Sequence, residues 1–158
     1  MLPIAYPHPT GQANPITFRA AAALAAQGAW DASPTEIPII AYDWLTLYFS
    51  YDEDADATDG AVDWYLEYSP YSIDQVGVQN WFQMTLYAAG VMAAGSDIQS
   101  NIQREYITYA ATDAAIEAFV YGPLQLERTI ERIRLVARES GDTDNPGLFH
   151  VVGVANGE

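Results

Sequence analysis

Alternation with a period of two recurs along this chain. In VDWYLEY (62–68), Val62, Trp64, Leu66 and Tyr68 fall on one face and Asp63, Tyr65 and Glu67 on the other, the pattern of a strand with one side in a core. WFQMTLY (81–87) repeats it, setting Phe82, Met84 and Leu86 against Trp81, Gln83, Thr85 and Tyr87. REYITYA (104–110) and AIEAFVYG (115–122) continue it, the latter closed by Gly122-Pro123. The segment IPIIAYDWLTLYFSY (37–51) is rich in β-branched and aromatic residues and nearly apolar on both faces, as a central or interface strand would be.

Near the C-terminus, RIRLVARE (132–139), SGDTDNPG (140–147) and LFHVVGVA (148–155) read as a hairpin. Ile133, Leu135 and Ala137 share one face, with Arg132, Arg134 and Arg138 on the other. A helix competes, because Leu126, Ile130, Ile133 and Ala137 also recur at helical spacing. LFHVVGV is plainly β and the loop before it is turn chemistry, so the strand is preferred. The Ala-rich AAAALAAQGAW (20–30) fits a helix or a strand.

About seven or eight short strands separated by turn signals predict an all-β fold, an antiparallel β-sandwich or jelly roll. Residues 1–16 carry Pro3, Pro7, Pro9 and Pro15, which favour an extended, polyproline-like N-terminal arm. Such an arm is expected to lie on its own domain or on an adjacent subunit. Residues 17–158 read as a single β-sandwich domain, with no fixed-period repeat and no dividing linker.

Composition narrows the functions. The chain of 158 residues is half apolar and 13% aromatic, which supports one well-packed domain. Its formal charge of −15, from 21 acidic residues against six Arg and no Lys, argues against nucleic acid or an anionic membrane as partner. Arg128, Arg132, Arg134 and Arg138 crowd one segment, able to meet acidic groups of the same chain or of a neighbouring copy. With no Cys, disulfide and thiolate chemistry are excluded. The start has four prolines and no basic region, so no signal peptide is expected and an intracellularly made chain is the expectation. No apolar run is long enough to span a bilayer as a helix.

The stretch DEDADATDG (52–60) is the strongest chemical candidate. An EF-hand loop needs Gly at position 6 and Glu at position 12; counted from Asp52 those places hold Ala57 and Asp63, so that register fails. A looser calcium loop built from Asp52, Asp54, Asp56 and Asp59 stays as an alternative. Asp and Gly favour turns and TDG precedes a clean strand, so the stretch reads first as a solvated hairpin connection, with no cofactor expected. Asp63 and Glu67 share a strand face roughly 13 Å apart, too far for a glycosidase pair. His8 lies in the Pro-rich arm and His150 in the last strand, where a hydrogen-bonded structural role is expected. No G-x-S-x-G, phosphate-loop or dinucleotide fingerprint occurs. No enzyme is expected.

Tyr65, Trp81 and Tyr87, on exposed strand positions, suit a sugar-stacking platform or subunit contacts, and contacts are favoured. With Pro3, Pro7, Pro9, Arg132 and Arg134 they form the candidate interface.

The runs YDWLTLYFSY, GAVDWYLEYSP, QREYITY and ERIRLVARESGDTDNPGLFHVVGVA resemble, in strand cadence over residues 30–155, the small β-sandwich structural proteins of tailed-phage virions. The resemblance implies a capsid-decoration or accessory role in the virion. It implies a homo-oligomer, a trimer by expectation, seated on the major capsid or another virion protein, with an N-terminal arm gripping a neighbour. It brings no catalytic residues. The alternative is a lectin-like carbohydrate-binding module, assisted by calcium on the 52–59 loop.

Overall fold

The structure is a computed structural model, and residues 15–87, 103–111 and 116–157 are described. In chain order the strands are β1 (Ile16–Ala23), β2 (Ile37–Pro38), β3 (Trp44–Asp52), β4 (Ala61–Ser69), β5 (Phe82–Gln83), β6 (Leu86–Tyr87), β7 (Gln103–Arg104), β8 (Ile107–Ala110), β9 (Ile116–Gln125), β10 (Arg132–Glu139) and β11 (Leu148–Asn156). The first sheet has the order β1-β11-β3-β9 and the second β2-β10-β4-β5, with β8 also pairing β4; β6 and β7 form a small ribbon. Every pairing is antiparallel. The chain is all-β, and the two main sheets pack face to face as a sandwich.

The alternation of period two explains why. Leu45, Leu47, Phe49 and Tyr51 of β3 point into the core together with Val62, Trp64 and Leu66 of β4 and Ile133, Leu135 and Ala137 of β10. Aromatic rings fill the centre: Phe49 stacks on Phe119 at 4.5 Å, Phe119 on Tyr109 at 4.0 Å, and Trp64 meets Tyr121 edge-on at 5.2 Å. Such geometry adds to the burial of large apolar surfaces. At Gly153 there is room for nothing else, because a Cβ would stand 2.3 Å from the Phe18 ring.

Several sequence expectations are revised. RIRLVARE is a strand, as preferred over a helix, but it forms no hairpin with LFHVVGVA: β10 pairs with β2 and β4, whereas β11 pairs with β1 and β3. The eight residues 140–147 instead cross from one sheet to the other. The acidic residues 53–60 do the same, carrying the chain from β3 to β4, so they are an arch and not a hairpin turn. Residues 37–51 break at the turn 40–43 into β2 and β3, and WFQMTLY splits into β5 and β6. β9 runs on through Gly122-Pro123 to Gln125, with a register shift against β3 between Leu45 and Leu47. The Ala-rich segment is strand to Ala23 and then a short 3-10 turn, Ala26–Gly28.

Candidate functional site

Both sheets present an outer face, and the two differ in charge. On β10 the outward positions are Arg132, Arg134, Val136 and Arg138, opposite Ser69, Glu67, Tyr65 and Asp63 of β4. Antiparallel register thus sets Arg134 beside Glu67 at 2.6 Å and Arg138 beside Asp63 at 2.9 Å. Asp63 also accepts a hydrogen bond from the Thr108 hydroxyl at 2.7 Å. Arg132 reaches further, to Glu36 and Asp74, and donates to the Tyr71 carbonyl at 2.7 Å. Aromatic rings stack on this ladder: Trp81 against Arg132 and Arg134, at 4.7 and 4.0 Å, and Trp30 against Arg138 at 4.4 Å. Stacking of a guanidinium on an indole contributes about 1 kcal/mol where partly desolvated. Burial, with the Glu67 carboxylate nearby, raises the Tyr65 phenol above its ordinary value. The layer is a self-satisfied network within one chain.

At one end of the sandwich the two arches meet around Glu139. This side chain is 0% exposed. Its Oε1 accepts the Ala61 and Gly141 N–H groups at 2.9 and 3.2 Å, and its Oε2 accepts the Tyr51 hydroxyl and the Gly147 N–H at 2.8 and 3.1 Å. A buried carboxylate without a cationic partner needs such donors. Outside it, Asp142 accepts from Asn145, Thr58 and Asp144, tying the two arches together, and these bonds hold its carboxyl below the usual range.

Burial, with the hydrogen bond to Glu139 and its charge, pushes the Tyr51 phenol far above its ordinary value of 10.0. The folded state therefore holds that proton more tightly than the unfolded chain does. The stability linked to it is complete below the unfolded value, near pH 10, and is lost as pH rises beyond it. The slope is about 1.4 kcal/mol per pH unit until the folded phenol ionises. Denaturation midpoints measured from pH 9 to 11.5 should fall more steeply in the parent chain than in Tyr51→Phe, which starts less stable by about 1–2 kcal/mol. Equal slopes would contradict this.

The calcium candidates lie on the first arch. Asp52 ends β3, pointing outward; Asp54 accepts the Asp56 N–H at 2.9 Å; Asp56 and Asp59 are exposed. Among the described residues, no three acidic or histidine side chains are gathered so as to hold a metal ion.

The outer face of the first sheet has a different chemistry. Rows across the strands read Leu148-Asp52-Ile116, then His150-Ser50-Ala118, then Thr17-Val152-Tyr48-Val120, with Val154-Thr46 and Asn156-Trp44-Gln125 beyond. Asp52, at one end, is the one carboxylate in these rows. Tyr48 is 51% exposed, Trp44 39%, Ile116 69% and Leu148 47%. His150 stands half-buried here, across from Ser50.

Of the candidate interface residues, the structure gathers Tyr65, Trp81, Arg132 and Arg134 in the intrachain ladder. Tyr87 stands apart on the ribbon, exposed, its N–H donating to the Tyr121 hydroxyl at 3.0 Å. Pro3, Pro7, Pro9 and the arm lie outside the described residues, as does His8. Sequence reasoning missed Trp44, Tyr48, Val152 and Ile116 as a surface. The signal was present, since 37–51 reads as apolar on both sides, but the second side took its neighbours from β9 and β11, far away in sequence. Comparisons with protein-family models, with curated proteins and with solved structures find no match for this chain.

Proposed function

We propose that this chain is a non-enzymatic structural protein of a virion, of the capsid-decoration or accessory kind, which self-associates and stabilises a larger assembly on the major capsid or another virion protein. One observation carries the reading: the segregation of charge between the two outer faces. In a chain with a formal charge of −15, the paired rows of four strands present, among the described residues, a broad face bearing a single carboxylate, while the arginines of the opposite face are spent on their own carboxylates. Isolated exposed apolar residues are ordinary; Trp44, Tyr48, Ile116 and Leu148 exposed on one sheet face with almost no charge suit an association surface. The virion setting comes from the resemblance in strand cadence. Light scattering of the full chain from low to high micromolar concentration tests the reading. A defined small oligomer is expected, and a monomer throughout would overturn it.

A second reading has its own observation. An open groove of about 270 Å³ brings Tyr65 together with Trp30, Tyr106, Gln83, Glu105 and Arg138. Aromatic rings beside planar hydrogen-bonding side chains suit the alternating apolar and hydroxyl surfaces of a saccharide. A glycan array probed with and without chelator separates this reading, and silence in both conditions removes it.

A further inference from the structure

We infer that the nearly uncharged outer face of the β1-β11-β3-β9 sheet binds a second copy of itself, about a two-fold axis that runs across the strands through the row of Tyr48. This rests on the reading of that face as an association surface, and adds the occupant and the geometry.

Charge selects a second copy approaching in this way. The arch end of the sandwich is acidic, with Asp52 at the end of β3 and Glu53, Asp54, Asp56, Asp59 and Asp142 on two adjoining loops. A two-fold axis lying along the strands would set these ends side by side. An axis across the strands sends them to opposite ends of the dimer. Asp52 lies four residues from Tyr48, so the two copies of Asp52 stand roughly 27 Å apart, well beyond the screening length of about 8 Å at physiological salt.

The same axis lays the far end of one sheet against the arch end of the other. At that far end, where β9 gives way to the next loop, Arg128 is exposed and in no ion pair among the described residues, and it shares an open groove with Asp43, Glu127 and Trp44. Trp44 occupies the end of β3 there. The contact therefore sets the less acidic end of one copy, where the Arg128 guanidinium offsets part of the charge of Asp43 and Glu127, and the Trp44 indole toward the strongly acidic end of the other, twice over by symmetry. Near the axis, Tyr48 meets Tyr48 and the neighbouring Val120 and Val152 close the centre with apolar side chains.

The size is sufficient. Four strands spaced about 4.8 Å apart and roughly 30 Å long cover about 570 Å² in projection. Two copies bury about 1,100 Å², at the lower end of specific interfaces. A reversible dimer follows. Sheets packed face to face lie roughly 10 Å apart, so cysteines on the two inner surfaces are within reach of a short bis-maleimide. The chain has no cysteine of its own, which makes such links unambiguous.

The test uses the full chain. Tyr48→Glu, at an exposed position, should leave the denaturation midpoint unchanged and weaken the dimer by roughly 30-fold or more, whereas Tyr106→Glu on the opposite side should not. Arg128→Glu should weaken it by about three- to tenfold at low salt, the difference shrinking at 0.5 M salt. Mixed Trp44→Cys and Asp52→Cys chains should cross-link to each other, and Asp52→Cys chains should not link among themselves. If Asp52→Cys chains link to themselves and the mixture does not, the axis is overturned. If the parent chain is oligomeric but Tyr48→Glu changes nothing and no pair links, this contact is overturned while the assembly reading survives. A parent chain monomeric at every concentration overturns both.

Discussion

Replacement of Glu139 by alanine is expected to destabilise the fold by about 3–5 kcal/mol, a fall in melting temperature on the order of 10 °C. The reason is geometric. Four donors from three separate segments converge on this one side chain: the Tyr51 hydroxyl from β3, Ala61 N–H from β4, and the Gly141 and Gly147 N–H groups from the second arch. Water cannot replace the lost acceptor where the residue is wholly buried, so each orphaned donor carries its desolvation penalty. Glu139→Gln keeps the shape and one acceptor oxygen, but turns an NH₂ toward donors on the other side. It should fall between the parent and the alanine chain. Urea midpoints measure both, and a Glu139→Ala chain as stable as the parent would show that the arches are held by something else.

A second large effect is expected where inspection of the surface would suggest none. Gly141 is exposed, yet a Cβ there would stand 1.8 Å from the Asp59 carbonyl oxygen and 2.6 Å from the Ala61 nitrogen. These are backbone atoms, which cannot swing aside as a side chain tip can. The adjacent arches must therefore separate, pulling on the Ser140 N–H to Ala61 carbonyl hydrogen bond at 2.8 Å. Gly141→Ala should cost about 2–3 kcal/mol, and a midpoint shift within experimental error would contradict the close approach of the arches.

Local periodicity made the strands legible. VDWYLEY and RIRLVARE place the residues that alternation assigned inward, from Val62 to Leu66 and from Ile133 to Ala137, in the core. The opposite positions, Asp63, Glu67, Arg134 and Arg138, face outward together, as expected. Their pairing was beyond reach, because register between β4 and β10 is fixed by contacts some 67 residues apart, as for Arg134 and Glu67.

The arches were misread for a related reason. Asp, Asn, Gly and Pro show that the chain turns, but not whether the next strand joins its predecessor or crosses the sandwich. That depends on which edges are already taken. β3 has β11 and β9 at its sides, and β10 has β2 and β4. The nearly uncharged face was hidden in the same way: Tyr48 has Val152 and Val120 beside it only once β11 and β9 flank β3. Glu139, by contrast, looks from sequence like the polar end of a strand and gives no sign of the donors that surround it.

The measurement that bears most directly on the association surface is residue-level oxidative footprinting of the full chain at two concentrations, dilute and well into the oligomeric range. Tyr48, Trp44 and Leu148 should become protected together as concentration rises, while Tyr106, Val76 and Tyr87, exposed elsewhere on the molecule, keep their reactivity. Protection of the arginine-bearing face, or no change at Tyr48 under conditions where the mass has risen, would contradict the account.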